Sequence, residues 1–277
     1  MPELPELEIV REVLARRLVG RTIAGVTLAP KGGPIVVRDL AGLGFATALI
    51  GERFISVGRR GKYMLFQFAP SRLWLVANPK LTGRLQLCSR GEKKAGPVHA
   101  TLHFDDPPEE LRYVDQKRMG QLYLTAALED VPLFNEMGPE ALVVSADEFA
   151  ARLKSFRGEV KGILVRAEFL AGIGNAYADE ILWAARLHPY RKRTSLTPQE
   201  VRALYSAMGD VLRASIEKVR LEMGEQVHLK PRDFFAVHMR GGQACPRCGT
   251  TISAVTANQR ITNFCRTCQP GGLIRGM

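Results

Sequence analysis

Four cysteines near the C-terminal end of the chain form two C-x2-C pairs, Cys245 with Cys248 and Cys265 with Cys268. A C-x2-C turn presents two thiolates to the same ion, and two such turns complete a tetrahedral shell. Because all four ligands are sulfur, we expect a zinc ribbon that holds one structural Zn²⁺ and no catalytic metal. The fifth cysteine, Cys88, lies in strand-like sequence and is expected to be a small buried residue.

The chain is strongly basic, with 39 Lys+Arg against 28 Asp+Glu and a formal net charge of +11 at pH 7. Such an excess favours a polyanionic partner, because each phosphate that a cationic side chain neutralises releases condensed counterions. Residues 240–277 contain five Arg and neither Asp nor Glu. We therefore expect Arg247, Arg260 and Arg266 to reach DNA phosphates. On charge alone, a basic enzyme without a nucleic acid partner is an open alternative.

The periodicity of apolar residues changes twice along the 277 residues. A helical stripe begins near Pro5, and short β-branched and aromatic runs follow from Thr22 to about Leu124. Further helices are predicted at Asp147–Phe156, Gly162–Phe169, Asn175–Leu187 and Thr197–Lys218. We predict an α+β multidomain protein: an N-terminal helix plus β-sandwich (1–130), a helical domain (131–235) and a zinc-finger module (236–277).

The segment Gly172-Ile173-Gly174-Asn175-Ala176-Tyr177 superficially matches a dinucleotide-binding fingerprint, but it lacks the third glycine and follows helical sequence. A helix–turn–helix fits it better, with the glycines permitting a tight turn and Asn175 capping the next helix. The free N–H groups at such a helix start bind a phosphate well. Taken by itself, the segment leaves an ordinary interhelical turn open.

Together these motifs resemble one family, the bacterial formamidopyrimidine-DNA glycosylases and their endonuclease VIII-type relatives. The start Pro2-Glu3-Leu4-Pro5-Glu6 is similar to the N-terminal signature of that family, and Gly172–Leu182 is similar to its helix–two-turn–helix motif. The cysteine quartet with Arg260 is similar to its zinc finger. The motifs occur in the family's order and spacing, so the resemblance covers essentially the whole chain.

The resemblance implies a nucleophile at Pro2, once Met1 has been removed. An α-amino group has a pKa near 8, so an appreciable fraction is neutral at pH 7 and attacks C1′ of a damaged nucleotide. The implied product is a Schiff base, followed by β,δ-elimination of both phosphates. Glu3 is then expected to protonate the opening sugar, and Glu6 to organise the N-terminus or simply to begin the helix. Lys62 is expected to contact the phosphate beside the lesion.

The resemblance also implies a set of DNA-binding residues, here Lys161, Asn175 and Arg260. Base excision needs the nucleotide extruded, and side chains must fill the void that it leaves. The corresponding positions hold Leu81, Arg118 and Met119, where the family carries Met, Arg and Phe. Leu and Met are serviceable apolar wedges, so opening of the duplex is expected to survive this departure.

A second departure concerns the glycine-rich capping loop of family members that favour 8-oxoguanine. Residues 216–235 contain one glycine, Gly224, so this loop is predicted to be shortened or replaced. An endonuclease VIII-like enzyme for oxidised pyrimidines is thus an alternative, although Leu4 favours the formamidopyrimidine branch. A non-catalytic damaged-DNA-binding relative is a third possibility, which the retention of Pro2 and Glu3 argues against.

The expected partner is double-stranded DNA with a damaged base or abasic site, bound by a monomer. The sequence has no apolar run of the roughly 18–20 residues that a membrane helix needs. Its start lacks the basic and apolar regions of a signal peptide. We therefore expect a bacterial cytoplasmic protein associated with the nucleoid and no membrane partner.

Overall fold

The computed structural model describes residues 1–257 and 260–271, which form two compact units. The first unit contains Met1–Asn135 and Val219–Pro231, and the second contains Glu136–Lys218 and the chain from Arg232 onward. The helical segment and the cysteine module therefore share a unit. The domain boundaries at 130 and 235 stay a prediction.

The first unit begins with a helix, continues through a run of strands and includes a short 3-10 turn. Its helices are α1 (Leu4–Leu18), α2 (Gly33–Val36) and α3 (Phe45–Leu49). Its strands are β1 (Gly25–Leu28), β2 (Val37–Asp39), β3 (Arg53–Arg60), β4 (Tyr63–Ala69), β5 (Trp74–Asn78), β6 (Gly83–Ser89), β7 (Val98–Phe104), β8 (Glu109–Asp115) and β9 (Gln121–Thr125). The 3-10 turn spans Leu128–Asp130.

Helix α1 forms where the sequence predicts it. Pro5 lies in its first turn, where a proline costs no intrahelical hydrogen bond. The apolar stripe from Leu7 to Leu18 is buried, and Arg16 and Arg17 lie in the last turn, at the negative end of the helix dipole. Gly20 follows in a left-handed conformation, with φ of 89°, which lets the chain leave the helix.

The strands of the first unit form two sheets, with the orders β1-β7-β8-β6 and β2-β9-β5-β4-β3. Neighbouring strands are antiparallel except for β2 and β9. Apolar side chains from both sheets line a common interior, among them Phe66 and Leu75 from the larger sheet and Leu102 and Leu111 from the smaller one. The predicted β-sandwich is confirmed.

The second unit is helical, followed by the cysteine module. Its helices are α4 (Ala146–Ser155), α5 (Val160–Leu164), α6 (Asn175–Ala184) and α7 (Pro198–Met223), of which α7 continues into residues of the first unit; a 3-10 turn spans Arg193–Ser195. The module contains β10 (Ser253–Ala257) and β11 (Arg260–Phe264), an antiparallel pair. No helix within 1–257 and 260–271 is long and apolar enough to cross a membrane.

The helix predicted at Gly162–Phe169 is wrong in its extent, because α5 ends at Leu164. Beyond it the chain forms tight turns, in which the amide of Phe169 donates to the carbonyl of Arg166 at 3.1 Å. These turns place the Phe169 ring edge-on to Phe149 and Phe156, at centroid distances of 5.4 and 5.3 Å. Burial of this aromatic cluster outweighs the helical preference of the segment.

Candidate active site and DNA-binding elements

Pro2 and Glu3 directly precede helix α1, and both are buried. Glu3 is the N-cap residue, and its carbonyl accepts a hydrogen bond from the amide of Leu7 at 3.0 Å. The carboxylate of Glu6 turns back and accepts from the backbone N–H of Glu3 at 2.8 Å. The helix dipole favours such carboxylates at this end. The backbone that follows Pro2 is therefore fixed, as the role predicted for Glu6 requires.

A cavity lies beside Pro2 in the first unit, and its walls are mainly apolar. They include Leu7 from α1, Met64 from β4, Tyr113 from β8, and Val227 from the segment that follows α7. Its lining also includes three charged residues, Glu6, Arg84 and Lys230. It suits a buried reaction centre at the start of α1.

Residues 224–231 lie in the stretch where the sequence predicts the glycine-rich capping loop to be shortened or replaced. Gly224 adopts φ of 52° after the end of α7, and the amide of Leu229 donates to the carbonyl of Gln226 at 2.8 Å. Val227 is buried, and Arg84 Nη1 donates to the carbonyl of His228 at 3.3 Å. The segment is thus a short, turn-rich strap, which we call the 224–231 strap.

Lys62 lies in the tight turn between β3 and β4, beside Gly61, which has φ of 56°. Arg59 braces this turn, because its Nη1 donates to the carbonyl of Gly61 at 2.9 Å and its Nε to Glu8 Oε2 at 2.8 Å. Burial would raise the pKa of Glu8, but hydrogen bonds and charges from Arg59 and Arg11 outweigh it and lower that pKa. Glu8 is therefore ionised at neutral pH and ties α1 to the turn.

Leu81, Arg118 and Met119 lie on two connections between the sheets of the first unit. Leu81 is on the connection from β5 to β6, and the other two are on the connection from β8 to β9. The apolar residues Leu81 and Met119 are 44 % and 47 % exposed, and Arg118 is also exposed. Exposed apolar tips are the form that a wedge for stacked bases requires.

In the second unit, one backbone carbonyl joins Lys161, Asn175 and the residue that follows Arg260. The carbonyl of Ile261 accepts from Asn175 Nδ2 at 2.8 Å and from Lys161 Nζ at 3.2 Å. Arg260 itself is exposed at the start of β11. The structure therefore brings Lys161 and Asn175, two of the positions predicted at DNA, to the strand that carries a third, Arg260.

The prediction that Asn175 caps a helix is wrong. Gly174 is the N-cap of α6, and Asn175 is the first helical residue. Since the Asn175 side chain is then one position too far along to cap the first turn, its amide reaches the hairpin instead. The consequence is a direct link between the start of α6 and β11.

Lys161 is almost fully buried, at 6 % exposure, and its Nζ lies 2.6 Å from Asp179 Oδ1 and 2.8 Å from Thr262 Oγ1. The other oxygen of Asp179 lies 2.8 Å from His238 Nδ1 and accepts from the amide of Asn263 at 3.2 Å. A buried lysine is tolerated where its charge is paired and hydrogen-bonded in this way. This geometry favours Lys161 as a residue that positions the hairpin over direct contact with a base or phosphate.

The four cysteine sulfurs of the quartet all lie within 4.8 Å of one another. Cys245 Sγ is 3.9 Å from Cys268 Sγ, and Cys248 Sγ is 3.4 Å from Cys265 Sγ. A tetrahedral Zn²⁺ with bonds of about 2.3 Å places its sulfurs about 3.8 Å apart, so the quartet fits this ion. Cys88 lies apart in β6 and is buried, as predicted, and burial raises its pKa to about 11.

Arg247 was predicted from the sequence to contact DNA phosphates. In the structure its side chain contacts Trp183 within the second unit. Its guanidinium lies 3.9 Å from the ring centroid of Trp183, and its Nη1 donates to the carbonyl of Trp183 at 2.9 Å. A stacked and hydrogen-bonded arginine of this kind anchors its loop. Arg247 thus fastens the first cysteine turn to α6, although it is exposed, as Arg260 and Arg266 are.

Comparison with known sequences decides the family. Residues 1–122 match the profile of the formamidopyrimidine-DNA glycosylase N-terminal domain, 137–224 that of its H2TH domain, and 242–271 that of the zinc finger found in FPG and IleRS. A formamidopyrimidine-DNA glycosylase of Symbiobacterium thermophilum is 38 % identical, with 98 % of this chain and 90 % of the relative covered. The chain belongs to the formamidopyrimidine-DNA glycosylase family. Another member, from Heliobacterium modesticaldum, is 39 % identical, over 97 % of this chain and all of its own.

Solved structures of formamidopyrimidine-DNA glycosylases share the fold. A MutM structure in complex with DNA containing carbocyclic 8-oxo-G has a TM-score of 0.83 and 27 % identity, over 98 % of this chain and 100 % of its own. A Lactococcus lactis Fpg variant in complex with Fapy-dG-containing DNA has a TM-score of 0.85 and 26 % identity, with the same coverage. The predicted zinc finger of this family member is confirmed, and its four cysteines fit one structural Zn²⁺.

Sequence reasoning missed the residues that hold α6 and the hairpin of this family member in place. Asp179 is the main example, together with Glu180, whose carboxylate accepts from the amides of residues 236–238 at 2.8 to 2.9 Å. A signal was available for Asp179, since it lies four residues after Asn175 and so shares a helix face with it. For His238, far along the chain, no spacing rule gives the contact.

Proposed function

We propose that this chain is a bifunctional DNA glycosylase and AP lyase of base excision repair, with Pro2 as its nucleophile. The observation that carries the proposal is the position of Pro2. It lies beside the buried carboxyl group of Glu3, at the start of α1 and on an apolar cavity, in a member of this family. Removal of Met1 turns the Pro2 nitrogen into a secondary amine, and apolar surroundings favour the uncharged form of an amine.

The reaction begins with attack of the Pro2 nitrogen on C1′ of the damaged nucleotide. The glycosidic bond breaks, and the base leaves with the bonding electrons and takes up a proton. Glu3 supplies a proton to the ring oxygen as the bond from C1′ to that oxygen opens, which leaves an iminium between C1′ and Pro2. Loss of a proton from C2′ then expels the 3′ phosphate, and a second elimination expels the 5′ phosphate. Water hydrolyses the imine and frees Pro2.

The remaining residues bind the DNA around this centre. Lys62, on its braced turn, contacts the phosphate beside the lesion, and Asn175 and Arg260 hold the backbone. Leu81, Arg118 and Met119 fill the space of the extruded nucleotide. The substrate is double-stranded DNA with an oxidised or ring-opened base or an abasic site. We propose that the protein acts on it in the bacterial cytoplasm, at the nucleoid.

Borohydride trapping on a duplex with an abasic site tests the nucleophile. We expect a covalent protein–DNA adduct, and peptide mapping should locate the attachment at Pro2. The matched control is a version with an N-terminal extension that leaves the Pro2 nitrogen in an amide; it should bind the same duplex and give no adduct. Base release by Met1-processed protein without any adduct would rule out the imine mechanism. Binding with neither adduct nor release would identify a non-catalytic relative.

The 224–231 strap supports a second candidate, an endonuclease VIII-like preference for oxidised pyrimidines. Among the described residues that follow α7 there is no extended glycine-rich loop to cover a bulky purine lesion, and the strap itself lines the cavity beside Pro2. A panel of duplexes that differ in one lesion separates the candidates. Faster cleavage at 8-oxoguanine or formamidopyrimidine lesions than at oxidised pyrimidines would sink this second candidate.

A further inference from the structure

The two connections that carry Leu81 and Met119 lie side by side because of strand pairing. Residues 79–82 run from β5 to β6, and residues 116–120 run from β8 to β9. In the larger sheet, Asn78 at the end of β5 pairs with Gln121 at the start of β9. In the smaller sheet, Gly83 pairs with Asp115. Both connections therefore cross between the sheets at the same place; we call them the paired crossovers.

One buried carboxylate, that of Asp115, holds both crossovers, and it is 1 % exposed. Its Oδ1 accepts from the hydroxyl of Thr82 and from the amide of Lys117, the latter at 3.1 Å. Its Oδ2 accepts from the amide of Gly120 at 2.7 Å. The Thr82 hydroxyl also accepts from the amide of Lys117, at 3.0 Å. Hydrogen bonds to a charged, buried acceptor are among the stronger ones in proteins.

The backbone of both crossovers is held in an unfavourable conformation next to each exposed apolar residue. Lys80, directly before Leu81, has φ of 47°, and Arg118, directly before Met119, has φ of 53°. Residues other than glycine adopt this left-handed region at a cost and keep it where their surroundings enforce it. Such enforced conformations cluster at functional positions. Here the two strained residues directly precede Leu81 and Met119.

The side chain of Tyr113 packs against the ends of both crossovers, at Gly83 and Gly120. A Cβ on Gly83 would lie 2.3 Å from the Tyr113 hydroxyl oxygen, and a Cβ on Gly120 would lie 1.7 Å from it. Both distances are far below van der Waals contact, so the ends of both crossovers rest on the same buried side chain. The crossovers are therefore fixed by hydrogen bonds to Asp115 and by packing on Tyr113.

We propose that Asp115 is a positioning residue that makes Leu81 and Met119 act on DNA as one rigid unit. This inference rests on the proposed function, since it assumes that these side chains enter the duplex when the nucleotide leaves. Insertion of two side chains between stacked bases is costly, and a preordered pair loses less conformational freedom on insertion. Asp115 touches no reacting atom; it acts through the two crossovers.

The variant Asp115→Asn tests the proposal, since one amide hydrogen of the new side chain would face a backbone N–H. Duplex opening is followed with 2-aminopurine beside an abasic site, and chemistry is followed by borohydride trapping on single-stranded abasic DNA, which needs no opening. We expect Asp115→Asn to slow opening and duplex cleavage by about tenfold, which corresponds to about 1.4 kcal/mol in the barrier. Trapping on the single strand should stay within about twofold of the original protein.

A second variant, Thr82→Val, removes the hydroxyl that donates to Asp115 Oδ1 and keeps the proposal testable if Asp115→Asn does not fold. Thr82→Ser keeps the hydroxyl and should restore opening. In addition, Leu81→Ala should slow opening strongly in the original protein and by less than about twofold in the Thr82→Val background. Unchanged opening in Thr82→Val, or equal losses on duplex and single strand, would overturn the proposal. Absence of trapping in the original protein would instead contradict the proposed function.

Discussion

Lys161 Nζ lies 2.6 Å from Asp179 Oδ1, at the point where α5, α6 and β11 meet in the second unit. Both side chains are buried, and each makes a further hydrogen bond to residues 261–263. A cation held in this way supports the shape of the hairpin that carries Arg260. The carboxylate of Asp179 is paired with this charge, so we expect Lys161 to position the hairpin.

Replacement of Lys161 by Met is expected to weaken DNA binding without changing its salt dependence. A residue that neutralises a phosphate contributes about 0.9 to the slope of log K against log salt, whereas a positioning residue contributes nothing to that slope. We expect Kd to rise about tenfold. Fluorescence anisotropy from about 50 to 200 mM salt measures both quantities. Lys154→Met is the matched control, and a slope lower by about 0.9 would mean direct contact.

Arg260→Ala should show the opposite pattern. Arg260 is exposed at the start of β11, so we expect its loss to raise Kd about tenfold and to lower the salt slope by about 0.9. The same titration applies. Arg90→Ala, which removes a surface arginine that pairs with Asp105 in the first unit, serves as the control. If both variants changed the slope equally, the effect would be one of net charge.

Removal of the metal should abolish duplex binding while leaving the sandwich folded. Three of the four cysteines, Cys245, Cys265 and Cys268, form the buried core of the module with Val237 and Ile252, so this small core has little else to hold it. We expect about one zinc per chain by elemental analysis. After chelation, limited proteolysis should cut within residues 242–271, and far-ultraviolet circular dichroism should retain the sheet signal. A metal-free chain that still bound DNA tightly would exclude a structural zinc site.

The ion pair between Glu8 and Arg59 predicts a pH dependence of stability. The pKa of Glu8 is lowered in the folded protein, so its contribution is present above the unfolded pKa, near 4.5, and is lost as pH falls through the folded value. Glu8→Gln should therefore lower the free energy of unfolding by about 1 kcal/mol near neutral pH. The difference should vanish in acid. Urea unfolding at several pH values measures it, and a constant difference across the range would contradict the assignment.

Most of the fold could be predicted from the sequence, because the local signals for helices and strands agree with the packing of the folded chain. The stripe of α1 and the cysteine quartet follow from spacing alone, and both are confirmed. The end of α5 was not predictable in this way. Whether residues 165–169 continue a helix depends on where Phe169 finds Phe149 and Phe156, and short-range periodicity does not contain that information.

The candidate site was also predictable from the sequence only in part. Residues that resemble family motifs, such as Pro2 and Asn175, were found from the sequence, and their roles stay predictions. The contact between Asp179 and His238 was missed, since these residues are 59 positions apart. The hydrogen bond between Thr82 and Asp115 was also missed, since it joins two separate connections between strands. Such contacts arise from strand register and helix docking, which bring distant positions together only in the folded chain.

The paired crossovers also bear on how this enzyme family can diversify. Their ends are anchored by strand register, Asp115 and Tyr113, while Leu81 and Met119 at the tips bear little of the folding load. Exchange of one apolar tip residue for another is therefore nearly neutral for stability and leaves the nucleophile untouched. Under the proposed role of these two side chains, mutation can sample new opposite-base preferences on an unchanged scaffold, so selectivity and chemistry can evolve separately in the same gene.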